Sequence, residues 1–186
     1  TLGERKEKYD KVCKKIRVQQ TFFLGTDQAF PFSTQKEPSV KSRNFEFLRP
    51  DWTELAELGG FAEAYAHADL ASSLVKLRTF AENLTKNIYK DLKLPQPHRA
   101  SLIDLLENET FVTIVPKVVI DKLHALRIHG NKAAHGDSAS SKNALWLIKE
   151  AFDLGRWIFV QFRKGTPDEL PTFQQVPQTG TDETKG

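Results

Sequence analysis

The sequence predicts an all-α fold: a bundle of about five helices, preceded by an extra N-terminal helix and an extended arm. Three observations carry this prediction. Apolar residues recur at three- and four-residue steps over long stretches. Capping residues and prolines sit where such stretches begin and end. No strand-like alternation of convincing length appears, the run Phe111–Val115 being β-prone but short and isolated.

Taken in order, residues 1–20 read as a charged helix with a narrow stripe of Tyr9, Val12, Cys13 and Ile16. Residues 21–43 are broken by Gly25, Pro31 and Pro38 and read as a linker or arm, with Phe22, Phe23, Phe30 and Phe32 as anchors. The bundle domain is assigned to residues 44–164. Asp51 is the expected N-cap of its first helix, which carries Trp52, Leu55, Leu58 and Phe61, with Gly59-Gly60 read as a kink or loop. Asp69 caps a longer helix with Leu70, Leu74, Leu77, Ala81, Leu84 and Ile88 on its buried face, ended by Pro95 and Pro97. Ser101 caps a short helix. Pro116 suits the first turn of another, with Val119, Leu123 and Leu126 inward. Gly130 and Gly136 bracket an expected turn. The last helix runs from about Ser141 to Arg163, and residues 165–186 read as a polar tail or linker.

Composition bounds the function. The chain has 186 residues, enough for one sizeable core. Its 27 basic and 24 acidic residues leave a net charge of +3, which does not demand a nucleic-acid partner. The single cysteine, Cys13, excludes an internal disulfide and a cysteine-based zinc site and fits a reducing, cytoplasmic setting. No apolar run is long enough for a membrane span, and no signal peptide is evident. The chain starts at Thr1 and contains no methionine, so it is expected to be a processed or trimmed chain, or a fragment of a longer one.

The densest chemistry lies in Leu126–Gly136. Arg127, Asn131 and His135 are spaced four apart and form one polar stripe if the backbone is helical throughout. Arginine there could stabilise a phosphate and histidine could act as acid or base. The plainer alternative is that Asn131 and His135 fasten a turn. Gly130 would permit a break, with Asn131 capping the next turn, and Ala133 and Ala134 would permit close approach of a neighbouring helix. No metal site is expected, because the histidines do not cluster and HExxH is missing. Phosphate-loop and nucleophile-elbow motifs are likewise missing. Basic residues gather at Lys11, Lys14, Lys15 and Arg17, a candidate nucleic-acid contact, and again at Lys86, Lys90 and Lys93.

Asn44-Phe45-Glu46-Phe47-Leu48, Trp52, the stretch Ala71 to Tyr89 with Leu77-Arg78-Thr79-Phe80-Ala81-Glu82, and the pattern Leu-Arg-x-x-Gly-Asn-x-x-Ala-His ending at His135 together resemble the N-terminal helical domain of type I restriction enzyme R subunits (HsdR). The resemblance covers residues 44–164. It implies an interaction or regulatory domain at the front of a longer chain, whose nuclease and ATP- and Mg-dependent translocase would lie in the remainder, with no cofactor in this segment. It further implies other restriction-complex subunits as partners, DNA engaged through the parent enzyme, and a role in defence against foreign DNA. That helical domain is in turn similar to the HEPN superfamily, many of whose members are metal-independent ribonucleases acting as homodimers through an Arg–His pair with four to six residues between. Here Arg127 and His135 have seven residues between them and Asn131 and His135 have three, so the motif alone does not carry that activity over.

Overall fold

A computed structural model describes residues 40–136, 140–163 and 166–178, all within the compact unit that starts at Pro38. Of the expected helix and arm of residues 1–43, residues 1–39, including Cys13, lie outside these. The described residues form an all-helical bundle: α1 (Thr53–Tyr65), α2 (Leu70–Asp91), α3 (Leu102–Leu106), α4 (Glu109–Ile114), α5 (Lys117–Ala134) and α6 (Ser141–Arg163). Short 3-10 turns span Glu46–Leu48 and Pro167–Glu169. No strand occurs among them, and no helix is long and apolar enough to cross a membrane.

Helix starts follow local chemistry. Ser72 N–H donates to Asp69 Oδ1 (3.0 Å) at the head of α2. Ser101 and Asp104 form a reciprocal capping box on α3. The bundle has one helix more than expected, because the β-prone run Phe111–Val115 falls largely within α4. Asn108 explains this: its Oδ1 accepts from the backbone N–H groups of Thr110 and Phe111, and buried Phe111 stacks on Tyr89 at 5.1 Å. A cap and one tertiary contact outweigh the weak strand preference of this short run.

Two further expectations are corrected. Asp51 does not cap α1; it accepts from Arg163 Nε at 2.7 Å and so ties the start of α1 to the end of α6. Gly59 and Gly60 form neither kink nor loop but lie buried inside α1. A Cβ on Gly59 would fall 2.3 Å from the ring of Phe45, so this glycine makes room for an aromatic side chain.

Phe45 is fully buried and meets Phe80 of α2 and Phe152 of α6 edge-on. Around it Leu55, Leu77, Leu84, Leu123, Leu126, Leu147 and Ile158 close a single core. Glu63, only 8% exposed, closes the loop before α1. Its carboxylate accepts from Ser42 Oγ, Arg43 N, Asn44 N and Asn44 Nδ2, all between 2.7 and 3.0 Å. Asn44 in turn holds the stretch after α6: Gln174 N donates to its Oδ1 (2.7 Å) and its Nδ2 donates to Gln174 O (2.9 Å). Leu170 is buried there, and Phe173 packs on Phe152.

Candidate functional site

The segment Leu126–Gly136 occupies the last turns of α5. The helix continues through Gly130 to Ala134, so the expected break at Gly130 is absent and Asn131 caps nothing. Only Gly136, with φ of +86°, turns the chain. The glycine serves packing instead. A Cβ on Gly130 would fall 2.4 Å from Arg78 Cβ and 2.8 Å from Leu74 O of α2. Close approach at this crossing comes from Gly130. Ala133 is buried, and Ala134 is exposed.

With the helix unbroken, Arg127, Asn131 and His135 lie on one stripe beside the buried line of Leu123, Leu126 and Gly130. The stripe is about 12 Å long from Arg127 to His135, at 1.5 Å per residue. Arg127 and Asn131 are half-buried and His135, at the C-cap, is exposed. Arg127 Nε is buried and makes no hydrogen bond in the structure. The first and last members of the stripe therefore do not converge on one point within this chain. What the stripe offers is a row of donors.

Two neighbours of the stripe were not joined to it from the sequence. Arg78, against Gly130, also has a buried Nε without a hydrogen-bond partner. The signal was available: Arg78, Glu82 and Lys86 step by four along α2, parallel in pattern to the stripe on α5. His124, one turn before Arg127, is the second. Burial, and then the Arg127 charge, push its pKa down from the ordinary value, while Glu107 and Asp121 oppose them. Two of the anions nearby have partners: Lys86 Nζ donates to Glu82 (2.7 Å) and Lys117 Nζ to Asp121 (2.7 Å).

On the opposite side of α5, Lys122 bridges to Glu150 and Asp153 of α6, and Lys149 also pairs with Asp153. No group of three or more His, Cys, Asp or Glu side chains suited to a metal ion occurs among the described residues. Lys11, Lys14, Lys15 and Arg17 lie outside the described residues. A cavity of about 640 Å³ opens beside Ser42, Glu63, His67 and Val176, but the Glu63 carboxylate on its wall is saturated by the four donors above. Val112, Ile114 and Val118 are large apolar residues left at least half exposed where α4 leads into α5.

Fold and site together define a helical bundle domain with a polar seam between its two long central helices. No protein-family model, curated protein or solved structure matches the chain.

Proposed function

We propose that this domain is a non-catalytic interaction or regulatory module of a type I restriction enzyme R subunit, supporting complex assembly or DNA engagement in cytoplasmic defence against foreign DNA. One observation carries the reading. In the Leu-Arg-x-x-Gly-Asn-x-x-Ala-His pattern, the apolar and small members Leu126 and Gly130 are buried, and Gly130 seats α5 on α2, while the pattern's Ala134 is exposed. The polar members are spread along the helix instead of meeting at a reacting centre. Nucleic-acid cutting and ATP- and Mg-driven translocation belong, on this reading, to the remainder of the parent chain. Exposed Val112, Ile114 and Val118 supply an apolar surface of the kind that partner subunits cover.

The test is deletion of residues 44–164 from the parent enzyme, with measurement of subunit assembly, DNA binding and restriction. Weakened assembly or DNA engagement is expected. Normal assembly and normal restriction by the truncated enzyme would overturn the reading. The orphaned Arg127 Nε favours one second reading, a HEPN-like ribonuclease completed by a homodimer, in which a partner copy brings a His135 to an Arg127. Metal-independent RNA cleavage by the purified chain, lost in His135→Ala with the fold retained, would establish it.

A further inference from the structure

We propose that the open edge of the α2–α5 seam binds the phosphate backbone of duplex DNA, with Arg78 and Arg127 as charged contacts and Asn131 as a hydrogen-bonding one. The proposal rests on the reading of this domain as one that supports DNA engagement, and it names the surface.

Gly130 near the end of α5 meets Leu74 and Arg78 near the beginning of α2, so these helices run antiparallel. At about 100° per residue, Arg127 and Asn131 fall on the same side of the Gly130 contact line. Lys122 falls on the other side, where α6 covers the seam through Glu150 and Asp153. For antiparallel helices the matching side of α2 is the one reached by stepping from Arg78 to Glu82 and Lys86. Two rows of polar residues therefore flank the edge that α6 leaves open and that α3 covers in part, Tyr89 of α2 donating to Leu105 O. Gly130 brings them together, because any side chain there would hold the helices apart.

The charge on this edge is unbalanced. Glu82 is taken by Lys86 and Asp121 by Lys117, and Glu107 acts on His124, whereas Arg78 and Arg127 form no ion pair among the described residues. Each holds its Nε buried and unbonded, so the terminal Nη groups are the donors left to face a phosphate. A guanidinium presents a planar fork of donors, suited to two oxygens of a phosphate. Further along the edge, Gln96 and Arg99 line a hollow of about 240 Å³ together with Lys86, whose charge Glu82 already meets, so Arg99 extends the basic track. Duplex DNA carries one negative charge per about 1.7 Å of axis, so an edge of about 12 Å faces several phosphates.

The experiment is fluorescence anisotropy of a short labelled DNA duplex with the whole 186-residue chain, repeated over a salt series. Arg78→Gln/Arg127→Gln should weaken binding about tenfold or more at low salt and reduce the slope of log affinity against log salt by about two. Lys41→Gln/Lys142→Gln, with the same change in net charge, should leave the slope near that of the parent chain. Thermal melting by circular dichroism reports the fold. If the double variant melts early, Arg127→Gln alone serves, with a slope change of about one. The proposal is overturned if the chain does not bind the duplex, or if a folded arginine variant keeps its slope. It is equally overturned if only replacement of Lys11, Lys14, Lys15 and Arg17 abolishes binding, or if single-stranded RNA of equal charge binds more tightly than the duplex. Failure here combined with impaired assembly on deletion of residues 44–164 would sink this surface and leave the module reading standing. Harmless deletion combined with the expected slope change would do the reverse.

Discussion

Gly130 lies against Arg78 so closely that a single added carbon on the glycine would come within 2.4 Å of the arginine Cβ. The contact joins the last turns of α5 to the early turns of α2. It also places an arginine from each helix beside the same seam. Packing and chemistry are coupled at this point, since the residue that lets the backbones touch also sets the spacing of the charged rows.

Gly130→Ala should therefore destabilise the bundle. Helix propensity alone favours alanine by about 1 kcal/mol, and overpacking a tight contact costs about 1–3 kcal/mol. Leu74 O is backbone and cannot swing aside, so overpacking should dominate. Urea unfolding should show a lower midpoint at unchanged m-value. An unchanged or raised midpoint would mean that the helices part at no cost.

Glu63→Gln should cost about 2–3 kcal/mol or more, because hydrogen bonds to a charged acceptor are the strong ones and this side chain makes four. An amide keeps one acceptor oxygen and turns an NH2 group towards donors. The loop from Ser42 to Asn44 should loosen, and the Gln174 stretch held by Asn44 should loosen with it. Amide hydrogen exchange at Asn44 and Gln174 should accelerate more than exchange in α5. Equal acceleration throughout would show global loss of stability without a local clasp.

The long helices were legible because α2, α5 and α6 each carry an apolar stripe over many turns, and Asp69 and Ser101 stand at real caps. Local sequence was a poor guide where a distant partner decides the outcome. Asp51 has the chemistry of a cap, yet Arg163 at the far end of the bundle claims it. Gly59 and Gly130 look like breaks, yet each is a socket for a residue on another element, Phe45 and Arg78. The stripe of Arg127, Asn131 and His135 could be read from its spacing. The four-residue step of Arg78, Glu82 and Lys86 was visible too, but joining it to that stripe needed the Gly130 contact, because the sequence does not say which helix α5 packs against.

His135→Ala should leave stability within about 0.5 kcal/mol, since the side chain is exposed and makes no hydrogen bond among the described residues. The interaction-module reading expects no RNA cleavage from either form of the chain. Thermal melting and a gel assay with labelled RNA in chelator check both halves. Cleavage by the parent chain alone would transfer the case to the ribonuclease reading.

His124 should report the charge of Arg127. Burial is the larger cause that lowers its pKa below the ordinary 6.5, and Arg127 is the next. The neutral ring is thus favoured in the folded state. A base with a lowered folded pKa contributes stability that is present above the unfolded value and is lost as pH falls through the folded pKa. Stability should accordingly decline below about pH 6.5, in the window where the unfolded chain takes up this proton more readily. Arg127→Gln removes one of the two lowering causes. The folded pKa of His124 should rise, and the acid-side loss should shrink. Titration of the histidine ring protons by NMR in both forms measures the shift directly. No movement of the His124 resonance midpoint would mean that the Arg127 charge is screened from it, and would place the guanidinium out in solvent instead of along the seam.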